Sequence, residues 1–316
     1  MGERPRRVRC LERLGARTRP LVSRVGPVGA RPVPAGGRVN PRPDTLPVTT
    51  IRPGARAVSF TIEEVWQARE LLYFLVWRDI KVRYKQTVLG VAWSVLQPFL
   101  TMVVFTIFFG RLAKMSSDGV PYPLFSLAAL LPWTYFATAA SNGSASLVGN
   151  QHLIAKVYFP RVLVPLASVL MPAVDLAVSF GMLLLLMAWY HVVPTAAIVM
   201  LPLYVALGVL TAFAVTLWTS ALSVRYRDAR YVLPFVIQIW LFISPVAYPA
   251  SMVPDRWRWL YALNPMASVV EGFRSALLGT PGPGGMTVMA VVVVAAALAA
   301  GGFYFRSVEG SIVDLA

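Results

Sequence analysis

One cysteine, Cys10, stands in 316 residues. That excludes an intrachain disulfide and a cysteine-built metal cluster. Only four lysines are present, Lys81, Lys85, Lys114 and Lys156, and none follows a glycine. A phosphate-cradling loop needs its lysine directly after glycine, so the chain does not bind ATP in that way. Two histidines, His152 and His191, occur without a His-Glu-x-x-His pattern, and their spacing builds neither a zinc site nor a Ser-His-Asp set. No apolar run follows the pair Arg6-Arg7, so no secretory or twin-arginine signal is legible. Charge is scarce too, at 14% of residues against about 25% in soluble domains.

Apolar side chains take its place. Hydrophobic residues make up 57% of the chain and mean hydropathy is +0.64. A water-soluble core cannot hide that much apolar surface, so the reading is an all-α integral membrane protein. Six transmembrane helices are expected, at about 88–110, 122–148, 162–190, 195–224, 231–248 and 286–305. Each approaches the roughly 20 apolar residues that a span requires. Between spans five and six, residues 248–279 are too apolar and aromatic for an exposed loop. One or two short re-entrant helices are expected there, one of them starting at Asn264-Pro265. Broken backbone at that depth requires cover from protein or a water-filled cavity.

The net charge of +15 is unevenly placed, because residues 1–57 hold 13 Arg and 3 acids. Residues 1–58, rich in Arg, Pro and Gly, are expected to be a disordered tail. They are either a basic arm or an extension ahead of the true start. The transmembrane domain is expected over 59–316. Order should begin near Ser59, with Thr61 and Glu64 as a capping box. Ile62, Val65, Trp66, Leu72, Leu75 and Val76 then form an apolar stripe at helical spacing. This predicts an interfacial helix lying flat on the membrane. With the N-terminus cytoplasmic, one side of the membrane carries 24 Lys and Arg and the other 5. The positive-inside bias therefore puts both termini in the cytoplasm.

Candidate functional residues follow from this layout. Asp175 is the one ionisable residue deep in a span, and it has no basic partner within any span. It is either a proton or cation site or an acid hydrogen-bonded between packed helices. Trp133, Tyr135 and Phe136 in span two, with Trp240, Phe242 and Tyr248 further on, either stack on sugar rings along a path or belong to ordinary packing and an aromatic belt. The loop NQHLIAKVYFPR, residues 150–161, sets Lys156 and Arg161 beside Val157, Tyr158 and Phe159. A simple positive-inside turn has no need of that aromatic tip, whereas a docking surface for another protein has. In RDIKVRYKQTVLGVAWSVLQP, residues 78–98, a charged foot runs into an uncharged span. This reads as an elbow, with Asp79 holding Arg83 at i+4 and Gly90 permitting the bend.

These segments resemble the membrane subunit of type-2 ABC exporters of the polysaccharide and polyol phosphate export family. The resemblance rests on LLYFLVWRDIKVRYKQTVLGVAWSVLQP, YPLFSLAALLPWTYF, NQHLIAKVYFPRVLVPLAS, SVRYRDARYVLPFVIQIWLFISPVAYP and NPMASVVEGFR. It covers about residues 59–316, and the tail departs from it. It implies a homodimer working with two copies of a separate ATPase subunit. ATP and Mg would be bound there and no cofactor by this chain, which is then a transport subunit and not an enzyme. Gln151, His152, Lys156, Tyr158, Phe159 and Arg161 would form the coupling helix on the ATPase. Arg78, Asp79, Lys81, Arg83, Tyr84 and Lys85 would rim the cytoplasmic entrance. Trp257, Trp259, Tyr261, Glu271 and Arg274 would belong to the outer gate. The implied cargo is a lipid-linked polysaccharide such as O-antigen or teichoic acid, moved across the bacterial inner membrane without any nucleic-acid partner. A smaller drug or lipid as cargo is the alternative. A secondary carrier or a membrane-bound transferase fits less well, since intramembrane ionisable groups other than Asp175 and a catalytic constellation are both lacking.

Overall fold

The computed structural model describes residues 62–85, 90–157, 159–226 and 228–314. The tail 1–58, Ser59 at the expected start of order, the expected N-cap Thr61, and Tyr158 lie outside the described residues, as does the 86–89 connection at the expected elbow. Every regular element among the described residues is a helix.

The interfacial segment is two helices, α1 (Ile62–Gln67) and α2 (Arg69–Lys85), parted by a turn at Ala68. The expected apolar stripe divides. Leu75 is buried, with Val65, Leu72 and Val76 packed beside it. Trp66 is 67% exposed, together with Tyr73, Phe74 and Trp77. The cations Arg69 and Lys81 sit over the Trp66 and Trp77 rings. An outward face of indoles and cations suits a headgroup layer rather than a soluble core.

Gly90 opens α3 (Gly90–Phe105), which contains Pro98 and continues through a π-helical turn, Thr106–Leu112. Then comes α4 (Tyr122–Gly149), the axis of the molecule. Of its membrane-crossing window, 78% is buried, against 22–33% for the other four candidate spans. The reason lies in the sequence. Ala139, Ala140, Gly143, Ser144 and Ser146 are small and buried, so neighbouring helices can approach closely. At Gly143 a Cβ would stand 2.3 Å from Thr216 Cγ2, closer than any real side chain tolerates.

Next are α5 (Gln151–Lys156), α6 (Leu163–Leu170) and α7 (Ala173–Trp189). The third expected span is thus broken at Met171-Pro172, because Pro172 has no N–H to give back to the preceding turn. A 3-10 turn, Ala196–Met200, leads into α8 (Leu201–Arg225), and together they match the fourth expected span.

Span five is shorter than expected. Helix α9 (Ala229–Ile243) has 15 residues, about 22 Å at 1.5 Å per residue, less than the roughly 30 Å of hydrocarbon. The remainder, residues 244–249, is non-helical. Two 3-10 turns, α10 (Arg258–Ala262), α11 (Pro265–Leu278) and α12 (Gly285–Asp314) complete the chain. The start of α11 is the expected one: Pro265 takes the first position and the Asn264 side chain accepts from Met266 N–H at 3.1 Å. Among the described residues, five helices are therefore long and apolar enough to cross a membrane, with α9 a shorter apolar helix beside them.

Two hydrophobic cores result. The larger joins α3, α4, α6, α7, α8, α9, α11 and α12 through residues such as Leu127, Phe136, Val169, Leu183, Ile237 and Phe273. The smaller gathers Leu75, Leu147, Ile154, Phe159, Leu163, Leu217 and Phe305. It lies at the Asn150 end of α4, around the expected coupling loop.

Candidate functional site

At the Asn150 end, α4 stops and the chain turns directly into α5. Its Asn150 side chain donates to Ser146 C=O at 2.9 Å and accepts from Arg78 Nη2 at 2.9 Å. That bond ties the interfacial helix to the foot of the central span. Arg78 also pairs with Asp79, at 2.8 Å. The expected Asp79–Arg83 pair is therefore corrected: the adjacent Arg78 is nearer, and Arg83 points elsewhere. Lys81 and Lys85 are exposed. A cavity of about 470 Å³ opens between α2, α4 and α6, lined by Arg78, Asp79, Arg83, Asn142, Asn150 and Met171 among others.

Arg83 reaches Asp175, with Nη2 at 3.0 Å from Oδ2. Ser94 Oγ donates to Asp175 Oδ1 at 2.7 Å, and the Tyr84 hydroxyl donates to the same oxygen. Burial, then the bond to Asp175, pushes the Tyr84 phenol above its ordinary pKa, which keeps it a donor. The sequence offered Asp175 no basic partner within a span. Its partner comes from the interfacial helix, a contact between residues 92 positions apart that no local pattern reveals.

The expected coupling residues fall into two groups. His152 and Lys156 are exposed on α5, beside Val157 at 49% exposure, and Gln151 is half-buried. Ile154 and Phe159, each 8% exposed, point into the smaller core. Arg161 donates to the Glu309 carbonyl of α12, so it fastens the loop to the last helix. Among the described candidates, His152, Lys156 and Val157 face outward, while Ile154, Phe159 and Arg161 anchor the segment.

Among the aromatic candidates, Trp133 and Tyr135 are 4% exposed and Phe136 is fully buried. The Tyr135 hydroxyl donates to Val169 C=O at 3.1 Å. Phe136 stacks edge-on with Trp240, centroids 5.0 Å apart. These four sit against helices of their own chain. Phe242 is 60% exposed, and Tyr248 is half-buried with its hydroxyl directed to the Phe242 carbonyl at 3.2 Å.

At the Tyr122 end, Arg274 is completely buried. Its Nε donates to Phe125 C=O at 3.1 Å, Nη2 to Val246 C=O at 2.8 Å, and Nη1 to Pro245 C=O at 2.6 Å. The Nη1 group also lies 3.2 Å from Glu271 Oε1, which accepts from Ala250 N–H at 3.1 Å. Tyr122 adds a bond to Ala247 C=O at 2.7 Å. The guanidinium thus satisfies the Pro245 and Val246 carbonyls left where α9 ends early, while its acid takes the Ala250 N–H, as backbone away from water demands. Burial pushes the Glu271 carboxyl upward, against the pull of Arg274 and of Ala250 N–H. Burial also lowers Arg274 to about 10, with Glu271 opposing. The Tyr261 phenol is raised, first by burial and then by its bond to Tyr248. Trp257 and Trp259 remain 48% and 65% exposed. Sequence spacing revealed the Glu271–Arg274 pair, but not that its service is to carbonyls.

Comparison with known proteins places this geometry. A model described as ABC-2 type transporter matches residues 70–278, from α2 to the end of α11. The O-antigen export system permease protein RfbA of Myxococcus xanthus is 29% identical over 239 residues, covering 75% of this chain and 91% of that protein. An O-antigen export system permease protein RfbA of Klebsiella pneumoniae is 28% identical over 210 residues, covering 66% and 80%. The polysialic acid transport protein KpsM of Escherichia coli is 24% identical over 207 residues, covering 64% and 78%.

Proposed function

The chain belongs to the ABC-2 type transporter family, and from that membership we propose that it is the permease subunit of an ATP-driven exporter of a cell-surface polysaccharide. The observation that carries this reading is the run of relatives named for O-antigen and polysialic acid transport, matched over most of their own length. The multi-pass helical architecture supports it.

In this reading the chain hydrolyses nothing itself. A separate ATPase subunit binds ATP and Mg, and docks against the exposed edge of α5 formed by His152, Lys156 and Val157. Two copies of the chain and two of the ATPase make the working unit. The short helix α9 serves as the fifth of six spans, completed by the Arg274-bound segment. Both termini lie in the cytoplasm, in keeping with the Lys and Arg bias, so the Tyr122 end faces outward. The cargo is a lipid-linked glycan, entering past α2. ATP binding displaces α5, and the smaller core moves with it, because Ile154, Phe159 and Arg161 fix α5 to that core. A packed core shifts between discrete arrangements rather than deforming continuously.

The test is reconstitution with a candidate ATPase subunit from the same cell, in vesicles holding a lipid-linked glycan. ATP-dependent appearance of glycan on the far side is the expected result. Transport of a small drug in place of glycan, or transport without any ATPase, would overturn the reading.

A further inference from the structure

Asp175 lies in the first turn of α7, directly after the Met171-Pro172 break. Three donors from two other elements converge on it. Arg83 and Tyr84 come from the last turn of α2, and Ser94 from α3. One helical turn further along α7, Ser179 Oγ donates to Ser94 C=O at 2.8 Å, a second tie between the same two spans. Arg83 Nη1 also lies 3.5 Å from Met171 Sδ, on the break itself.

The placement of these groups matters more than their number. Helix α6, before the break, packs through Leu163, Val164 and Ala167 in the smaller core with α2 and the 150–161 loop, and through Val169 against the larger one. Helix α7, after the break, packs in the larger core. Asp175 stands where the two bodies meet. It grips both arms of the elbow, α2 and α3, from outside the connection that joins them in sequence. The cavity beside it measures about 40 Å³, far below the roughly 300 Å³ at which ligand sites begin. Asp175 therefore faces no ligand-sized space of its own, and of its partners Arg83 also borders the cavity of about 470 Å³.

We propose that Asp175 is a positioning residue of the export cycle: it clamps the end of α2 and the start of α3 onto α7 at the Pro172 break, so that movement of the smaller core is passed to spans one and three. The clamp stays closed while the bodies move. A carboxylate suits the task because it offers two oxygens to three donors, and its place in the first turn of α7 puts it at the positive end of that helix. Neutralising it removes the Asp175 charge that Arg83 faces at 3.0 Å and loosens α2 from α7. The ATPase still engages α5, but its stroke no longer reaches the path.

This inference rests on the exporter reading, and the experiment separates the two. The full complex with its ATPase is reconstituted, and both ATP hydrolysis and glycan export are measured. Wild-type chain is compared with Asp175→Asn, Asp175→Ala, Arg83→Ala and the double variant Arg83→Ala with Asp175→Ala. Export per ATP hydrolysed is expected to fall about fivefold in Asp175→Asn, with complex yield and hydrolysis unchanged. The double variant should be no worse than Asp175→Ala alone, since both changes open one clamp. Spin labels at exposed Val82 and Leu185, introduced with Cys10→Ser, give a readout that needs no glycan. Their separation should keep one narrow distribution with and without ATP in the wild type, and broaden in Asp175→Asn. Unchanged export per ATP in Asp175→Asn, or multiplying single effects, overturns the proposal. So does loss of the assembled complex in both Asp175 variants, which assigns the residue to folding. A wild-type complex that exports no glycan while the labels behave as described overturns the exporter reading alone.

Discussion

The guanidinium carbon of Arg274 stands 3.5 Å from the centre of the Phe125 ring, under four backbone carbonyls and beside Glu271. A charge so enclosed stabilises only while every partner is present. Arg274→Ala strands Glu271 in an apolar setting and frees the carbonyls of Phe125, Pro245 and Val246. Removing one member of such a pair costs about 3–5 kcal/mol. Arg274→Lys should recover little of it, because an ammonium cannot present the guanidinium's planar fork. Thermal unfolding of the detergent-solubilised chain is the measurement, and wild-type melting of Arg274→Lys would contradict this account.

Tyr135 separates a packing role from a path role. Its hydroxyl bonds to Val169 C=O inside the larger core. Tyr135→Phe should lower stability by about 1 kcal/mol and leave export per complex unchanged. A clear loss of export at unaltered stability would instead place the hydroxyl on the cargo.

Gly272 marks a close approach between α11 and α8. A Cβ there would lie 2.2 Å from the Tyr204 ring, so Gly272→Ala must drive the two helices apart. Overpacking of this kind costs about 1–3 kcal/mol. In contrast, a Cβ at Gly181 meets nothing within 4 Å, and Gly181→Ala should hold or raise the melting temperature.

The coupling segment gives a split outcome. Lys156 is exposed, so Lys156→Glu should weaken capture of the ATPase subunit while the chain melts as before. Arg161 is engaged by Glu309 C=O, so Arg161→Glu should lower the melting temperature as well. Equal effects of both substitutions on capture, with neither altering melting, would return Arg161 to the docking face.

Hydropathy located the spans because burying about 20 consecutive apolar residues is a local property of a segment. It placed Leu163–Trp189 and Ala196–Arg225 within a residue or two of where they lie. It overestimated span five, since Ser244-Pro245-Val246-Ala247 is apolar enough to read as helix while Pro245 ends one. The capping of α11 was legible for the same local reason: Asn264 and Pro265 act on their own neighbours. The candidate residues fared unevenly. Phe159 and Arg161 stood out beside Lys156 because an aromatic and basic tip looks exposed in sequence. Whether such a side chain turns outward depends on α12 and α6, which arrive from elsewhere in the chain.

The sequence by itself determined that this is a multi-pass helical membrane protein without a phosphate-binding loop, with a charged stretch ahead of the first span, an aromatic and basic loop between spans two and three, and a lone acid in span three. Only the tertiary structure decided the distant partners: Asp175 with Arg83, Arg161 with Glu309 C=O, and Arg274 with the carbonyls beyond α9. The physical reason is the same throughout. An apolar run is selected by its surroundings one segment at a time, whereas a buried charge must find its counterpart wherever the packing of helices brings one within about 3 Å.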